Sequence, residues 1–235
     1  MSVFIYVAIH GPLIDCTPNK NLGIVVCIPL YDEKDVNSAI QSILYCKAAP
    51  CHVEIIALLN ESERDIPSLS QLHRSSYNRL KSWSSEIARS KQNISLFPIS
   101  ITGIPQKKAG VGLARKLAMD EGVLRLKNSD SKLKLICSCD ADSIYPENYL
   151  QEVWSYFDTA EGKDLCSIYF EHPLDLIDEP QILRAIIQYE LHLRYYKNMR
   201  QCIGLPFAFY TLGSCMAFRS EAYKKLGGMY TRKAG

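Results

Sequence analysis

Hydrophobic positions along the chain change repeatedly between a period of two and a period of about three and a half residues. Residues 23–31 (GIVVCIPLY) form a continuous run rich in β-branched side chains, which is typical of a strand covered on both faces. In the segment that follows, apolar residues recur at intervals of three and four, and this pattern predicts a helix with Asp35 as its N-cap. The two elements make one βα unit.

The same alternation continues to the end of the chain. Further strands are predicted at residues 53–60, 94–101, 133–139 and 165–170, and further helices at residues 68–89, 110–126, 146–157 and 177–200. An apolar run at residues 3–9 predicts an additional N-terminal strand. Repeated β-then-α order favours an α/β fold with a mostly parallel central sheet and helices on both faces, in one domain of residues 1–235.

The composition of the chain argues against several classes of function. The 235 residues carry 27 Lys and Arg against 25 Asp and Glu, a net charge of +2 without any block of like charge, which disfavours a nucleic-acid partner. The longest apolar run has far fewer than the ~20 residues that cross a bilayer. Nine cysteines without paired spacing indicate reduced, mostly buried thiols, and hence a cytoplasmic protein.

The carboxyl ends of the predicted strands are the first place to look for a site, because parallel sheets bind their ligands there. Asp140 and Asp142 follow a buried strand at i and i+2, so on an extended segment both carboxylates point the same way, with nothing else placed to neutralise them. Paired carboxylates suit Mg²⁺ or Mn²⁺. The alternative is a polar turn in which Asp140 or Ser143 caps the next helix.

A second candidate segment, residues 107–115, enters a helix with two lysines and two glycines. This arrangement favours a cradle for phosphate at the helix N-terminus, although a solvated basic turn explains it equally well. It does not match the dinucleotide-binding fingerprint, because Arg115 stands where that fingerprint has its third glycine.

Taken together, these motifs resemble the inverting family 2 glycosyltransferases. Residues 28–33 (IPLYDE) resemble the family's IPxYNE opening, and residues 140–142 resemble its metal-binding Asp-x-Asp. Residues 110–115 resemble a GxxxAR helix start, and residues 212–219 and 226–228 resemble the acceptor-side GxxxxxR and GG elements. The order and spacing agree from about residue 22 to the end of the chain.

The resemblance implies a GT-A nucleotide-diphospho-sugar transferase fold with an extension at residues 1–21, a nucleotide-binding half at 22–143 and an incomplete acceptor-side half at 144–235. Asp140 and Asp142 would hold Mn²⁺ or Mg²⁺, and Gly213 and Ser214 would lie on the acceptor side. The implied nucleotide-binding residues are Pro29, Tyr31, Glu33, Asn60, Glu61, Lys108, Arg115 and Asp140.

The implied activity is metal-dependent, inverting transfer of a sugar from a nucleotide-diphosphate donor, with UDP as the expected carrier, to a polysaccharide, cell-envelope or lipid-linked acceptor. The family's catalytic base follows the Gly-Gly element and would lie beyond Gly235, so no catalytic residue is assigned. Glu171 and His172 form a less favoured alternative base. The basic, aromatic segment 194–200 favours either peripheral contact with a membrane or lipid-linked acceptor, at the inner membrane face, or a solvated helix end.

Two other functions are also compatible with the sequence. The strand followed by Asp140 and Asp142 also resembles the start of a haloacid-dehalogenase-like phosphohydrolase, in which the first Asp is the nucleophile. That motif normally opens its domain, whereas three βα units precede it here. The other alternative is a non-catalytic domain that binds a nucleotide sugar.

Overall fold

Six strands form one sheet in the computed structural model, which describes residues 11–32, 37–90, 93–159, 162–206, 208–210 and 213–230. The strands are β1 (Leu22–Leu30), β2 (His52–Ser62), β3 (Ile94–Ile104), β4 (Leu135–Ser138), β5 (Leu165–Ser167) and β6 (Met216–Arg219). The strand predicted at residues 3–9, the candidate Glu33 and the predicted cap Asp35 lie outside the described residues.

The strand order is β3-β2-β1-β4-β6-β5. β1 pairs in parallel with both β2 and β4, and β2 pairs in parallel with β3. β6 runs antiparallel to both of its neighbours, so β5 again runs in the direction of β4. The carboxyl ends of β1, β2, β4 and β5 therefore lie at one edge of the sheet.

Helices cover both faces of this sheet. The helices in the described ranges are α1 (Asn37–Leu44), α2 (Pro67–Arg89), α3 (Val111–Lys127), α4 (Tyr149–Thr159), α5 (Pro180–Cys202) and α6 (Ser220–Lys225). α5 contacts mainly the short helical turn Leu174–Leu176 rather than the sheet. Alternate β1 residues face opposite sides: Ile24, Val26 and Ile28 pack with α1, α2 and α4, whereas Val25 and Cys27 pack with α3 and α6. The predicted α/β class, mostly parallel sheet and two helical layers are confirmed.

Several element boundaries differ from the prediction. β4 ends at Ser138, one residue before its predicted limit, and β5 ends at Ser167, three residues before its predicted limit. Both residues are the last that pair with β6 in the ladder. β6 itself was not predicted, since four residues are too few for a periodic signal. α5 has the predicted length, but Glu190 is its one buried residue within the described structure, so its apolar side chains do not form a conventional core-facing stripe.

A buried ion pair fixes α3 on the sheet. Arg125 of α3 donates from Nη2 to Glu54 Oε1 of β2 at 2.9 Å, and its Nε donates to the other oxygen of the same carboxylate. Both side chains are at least 97% buried. Arg125 also donates to the Cys16 carbonyl at 2.9 Å, so the segment before β1 is tied to the same helix. This ion pair anchors the last turn of α3 on the first residues of β2.

The observed state of the cysteines agrees in part with the prediction from the sequence. All nine are free thiols. Four of them, Cys27, Cys51, Cys137 and Cys139, are buried, whereas Cys16 and Cys202 are exposed. The expectation that most are buried is therefore too strong, although burial raises the pKa of each of the four buried thiols.

Candidate functional site

Asp140 is held by an arginine from the neighbouring helix. Its Oδ1 accepts a hydrogen bond from Nη2 of Arg115, in the first turns of α3. The Arg115 side chain is 4% exposed, whereas the Asp140 side chain is 34% exposed. The expectation that nothing neutralises the two carboxylates is therefore wrong for Asp140. The sequence did not reveal this contact because 25 residues separate the partners.

The backbone at Asp140 is fixed by a tyrosine. The Tyr145 hydroxyl accepts from the Asp140 N–H at 3.0 Å and donates to the Asp140 carbonyl at 3.2 Å. Burial raises the pKa of Tyr145, which keeps its hydroxyl protonated and able to donate. Tyr145 thus shapes the turn that carries the two acids.

Asp142 differs from Asp140 in both position and environment. β4 ends at Ser138 and the chain turns at residues 141–142, so the two acids do not share the extended segment that the sequence predicted. Asp142 is exposed and accepts a hydrogen bond from Ser143 Oγ at 3.5 Å. α4 begins only at Tyr149, well after both acids in the chain. Asp142 therefore presents its carboxylate to solvent.

The predicted acceptor-side residues Gly213 and Ser214 lie just before β6, next to the end of β4. The Gly213 carbonyl accepts a hydrogen bond from Ser138 Oγ at the end of β4. A Cβ atom on Gly213 would lie 3.1 Å from Arg115 Nη1, so the glycine allows the chain to approach the guanidinium closely. Next along the chain, Ser214 Oγ lies 3.8 Å from the Cys215 thiol, whose pKa is raised by burial and by the charge of Asp140. The structure thus brings Arg115, Asp140 and the 213–215 segment together.

A second cluster surrounds Tyr31, just beyond β1. The Tyr31 side chain is 41% exposed, and its hydroxyl donates to Asp65 Oδ1 at 3.1 Å. Its carbonyl is hydrogen-bonded to Nε2 of His73, and the two rings meet edge to face with centroids 5.7 Å apart. Burial, followed by the hydrogen bond to Asp65, raises the pKa of Tyr31. The ring is therefore fixed in place and remains open to solvent.

Glu61 joins the Tyr31 cluster from the end of β2. It accepts a hydrogen bond from Ser70 Oγ, and its Oε2 lies 3.8 Å from His73 Nδ1. Neither His73 nor Asp65 was predicted as a site residue from the sequence. His73 could have been recognised as a polar residue on the buried stripe of α2, four residues after Leu69. Asp65 accepts from the Ser62 N–H at 2.8 Å, a local turn bond to a residue three positions earlier.

The other candidates occupy different surroundings. Asn60 is 1% exposed and donates to the Gly110 carbonyl at 3.0 Å, so it ties β2 to the start of α3 beneath the surface. Pro29 is buried within β1, beside Leu58 of β2. Lys108 is exposed on the turn before α3, where its N–H donates to the Pro105 carbonyl at 2.7 Å. Of these three side chains, Lys108 alone is on the open surface.

The residues present fit a divalent cation that is shared with a ligand. Across the described ranges, no group of three or more His, Cys, Asp or Glu side chains is arranged to hold a metal ion. Asp140 and Asp142 nevertheless offer carboxylate oxygens at one turn, and only Oδ1 of Asp140 is bonded to Arg115. Mg²⁺ and ions of similar preference are commonly held by one or two carboxylates together with waters and substrate phosphates. The donor set matches that pattern.

The alternative base residues belong to a separate network. His172 Nδ1 lies 2.6 Å from Glu190 Oε1, and Glu171 Oε2 accepts from the Tyr169 hydroxyl at 2.8 Å. Arg194 approaches both carboxylates, at 3.5 and 3.8 Å. These groups line a cleft of about 420 Å³ between α5 and the segment that follows β5. Glu171 and His172 therefore already have hydrogen-bond partners, and these partners are not residues of the Asp140 turn.

Comparisons with known proteins give structural similarities alone. No family model matches the chain, and no curated protein matches it. Among the solved structures, S. aureus TarS 1-349 is 14% identical, with 87% of this chain and 49% of that chain covered and a TM-score of 0.40. The mannosyltransferase PcManGT from Pyrobaculum calidifontis, in complex with GDP-Man and Mn²⁺, is 14% identical, with 92% and 50% covered and a TM-score of 0.47.

Mouse xyloside xylosyltransferase 1, in its apo form, is 10% identical, with 87% of this chain and 69% of that chain covered and a TM-score of 0.35. The chain spans about half the length of the first two structures. Similarity at these TM-scores assigns no activity to this chain. Separately, no helix in the described ranges has both the length and the apolar character needed to cross a membrane.

Proposed function

We propose that the chain binds a nucleoside diphosphate sugar together with Mn²⁺ or Mg²⁺ and forms the donor-binding part of a GT-A-type glycosyltransferase. The observation that carries this proposal is the turn after β4, where Asp140 is fixed by buried Arg115 and Asp142 is exposed beside it. In this proposal residues 22–143 supply the nucleotide side and residues 144–235 supply the acceptor side.

The two acids have unequal roles. Arg115 is buried and bonded to Oδ1 of Asp140, so it acts as a positioning residue that orients the remaining carboxylate oxygen. Asp142 is the exposed ligand that meets the cation and, through it, the diphosphate. Within the described structure, Arg115 Nε is buried without a hydrogen-bond partner, which marks the site as polar beneath its surface.

The cation supplies charge stabilisation for the departing nucleoside diphosphate when it is bound. Lys108 is exposed on the turn that leads into α3 and carries a positive charge suited to the same phosphates. Gly213 allows the acceptor-side segment to lie against Arg115, so the acceptor would approach next to the two acids.

The Tyr31 cluster supplies the nucleoside side. An aromatic ring that is fixed in place and 41% exposed offers a stacking surface for a base. Asp65 and Glu61 lie around it and provide carboxylate oxygens that can accept from base N–H or ribose hydroxyl groups. Both Tyr31 and Asp140 follow strands whose carboxyl ends lie at one edge of the sheet, where ligands of such sheets bind.

The motif resemblance supplies the rest of the proposal. UDP is the proposed carrier, transfer proceeds with inversion, and the acceptor is a polysaccharide, cell-envelope glycan or lipid-linked glycan met on the cytoplasmic side. The base that deprotonates the acceptor hydroxyl belongs to the acidic pair that the family places after its Gly-Gly element.

Calorimetric titration of UDP in the presence and absence of Mn²⁺ tests this proposal. We expect binding that needs Mn²⁺ and that weakens by about tenfold or more in Asp142→Asn, because the cation loses a charged carboxylate ligand. Glu147→Gln is the matched control, since Glu147 is an exposed acid that pairs with Lys47 at the surface. Binding independent of metal, or no binding of any nucleoside diphosphate, would contradict the proposal. A covalent phosphoryl group on Asp140 would favour a phosphohydrolase instead.

A further inference from the structure

α5 presents two faces with different surroundings. One face carries Leu183, Ile186, Leu193 and Lys197, which are half-buried, together with buried Glu190. These side chains face the segments before and after the helix: Glu190 contacts His172, and the Lys197 ammonium lies 5.4 Å from the Tyr210 ring centroid. This face holds the helix on the rest of the protein.

The other face is an exposed apolar seam. The α5 seam consists of Ile182, Ala185, Tyr189, His192, Tyr196, Met199 and Ile203, which recur at alternating intervals of three and four residues. All seven are exposed, with 59% of Tyr196 and 65% of Ile203 open to solvent. The seam lies on the opposite side of the helix from Ile187 and Leu191, which line the 420 Å³ cleft.

The spacing of the seam indicates a helical partner. An apolar repeat of three and four residues is the pattern that lets one helix pack along another, with each seam residue fitting between residues of the partner. The repeat continues from the start of α5 to its C-cap, a length of about 34 Å at the usual rise per residue. The rings of His192 and Tyr196 are already stacked within it, 6.3 Å apart.

The charges around the seam favour a second copy of the chain in antiparallel orientation. Asp178 and Glu179 precede the helix and outnumber Arg184 in its first turns, whereas Arg200 lies in its last turn. Lys197 belongs to the face that packs on Tyr210. Antiparallel pairing places the acidic end of one helix beside the basic end of the other, and parallel pairing places like charges together. Residues 175–203 carry four acidic and four basic side chains, and this net charge of zero gives no attraction to an anionic membrane.

We propose that the α5 seam is the interface of an antiparallel homodimer. With a two-fold axis between residues 190 and 191, Ile182 lies opposite Met199 of the second copy and the small Ala185 lies opposite Tyr196. In the same register Glu179 comes close to Arg200. A single helix pair is smaller than the standard interface of about 800 Å² per partner, so the dimer is weak and forms only at high protein concentration.

Sedimentation equilibrium of the full chain over a concentration series tests the dimer. The mass rises from 26.6 kDa towards twice that value as concentration increases. Tyr196→Glu and Ile182→Glu each reduce the association constant by about tenfold or more, because a charge enters the apolar seam. Leu191→Glu is the control, since Leu191 is 62% exposed on the opposite side of α5 and leaves association unchanged. Helix content measured by circular dichroism verifies that each variant is folded.

Charge reversal tests the orientation. Glu179→Arg and Arg200→Glu each weaken association, and the double variant restores it, because the reversed charges again face each other. A chain that stays monomeric at every concentration overturns the proposal, as does a dimer that both seam substitutions leave intact. A monomer whose binding to vesicles containing phosphatidylserine is abolished by Tyr196→Glu also overturns it, and assigns the seam to a membrane.

Discussion

The buried ion pair between Glu54 and Arg125 gives a stability prediction whose size follows from its geometry. The guanidinium donates to both carboxylate oxygens, and both side chains are at least 97% buried. The guanidinium carbon also lies 4.6 Å from the Phe97 ring centroid. Although burial lowers the pKa of Arg125, the contact with Glu54 outweighs it and raises that pKa. Arg125→Met removes the partner and leaves the Glu54 carboxylate uncompensated in the core.

Removing one member of such a pair costs about 3–5 kcal/mol of unfolding free energy, whereas replacing both by apolar side chains of similar volume is often close to neutral. The double variant Glu54→Met/Arg125→Met therefore lies within about 1–2 kcal/mol of the wild type. The Cys16 carbonyl loses its donor in both variants, but Cys16 is exposed and water replaces that hydrogen bond. The double variant is thus more stable than Arg125→Met.

Urea unfolding of the wild type, both single variants and the double variant measures this coupling. The two tryptophans, Trp83 and Trp154, provide the fluorescence signal, and circular dichroism provides an independent signal. A loss of less than about 1 kcal/mol in Arg125→Met, or a double variant no more stable than Arg125→Met, would show that Glu54 does not depend on its partner.

Three further predictions concern packing, pH and thiol chemistry. Gly23→Ala lowers the unfolding free energy by about 1–3 kcal/mol, because its Cβ would lie 2.6 Å from Trp154; an unchanged urea midpoint would show that the site relaxes. Burial alone would raise the pKa of Glu190, but hydrogen bonds from His172 and Arg194 outweigh burial and lower it. The ionised Glu190 side chain therefore stabilises the folded protein above about pH 4.3, and this contribution is lost as pH falls through the lowered pKa of the folded state. The stability difference from Glu190→Gln therefore shrinks from about pH 5 to about pH 3, and a constant difference would contradict this. Burial raises the pKa of Cys139 to about 12, so iodoacetamide at pH 8 labels exposed Cys202 first; equal labelling rates, measured by peptide mass mapping, would argue against the burial.

The central strands were predictable because their signal is local. β1 is buried at all nine positions, and the continuous apolar run in the sequence is the direct consequence of helices on both of its faces. Helices α2 and α3 begin and end within one residue of their predicted limits, since their apolar spacing extends over four or more turns. The short strand β6 gave no such signal, because its place between β4 and β5 depends on partners more than 45 residues away.

The candidate site was predictable as a set of strand ends, whereas its contacts were not. The carboxyl end of β4 identified Asp140 from the order of elements, whereas Tyr31 was identified by the motif resemblance of residues 28–33. The partner of Asp140 required the position of α3 on the sheet, which depends on packing of Ala114, Leu117 and Ala118 against residues of β1 and β2. His73 reaches Tyr31 from the buried side of α2, where the apolar pattern favoured a core role.

The most direct test of the proposed metal site is anomalous diffraction, at the manganese edge, from crystals of this chain grown with UDP and Mn²⁺. We expect an anomalous peak at about 2.0–2.3 Å from a carboxylate oxygen of Asp142 and from diphosphate oxygens, with the base against the Tyr31 ring. A manganese peak away from the turn after β4, or UDP bound at another surface of the protein, would contradict it.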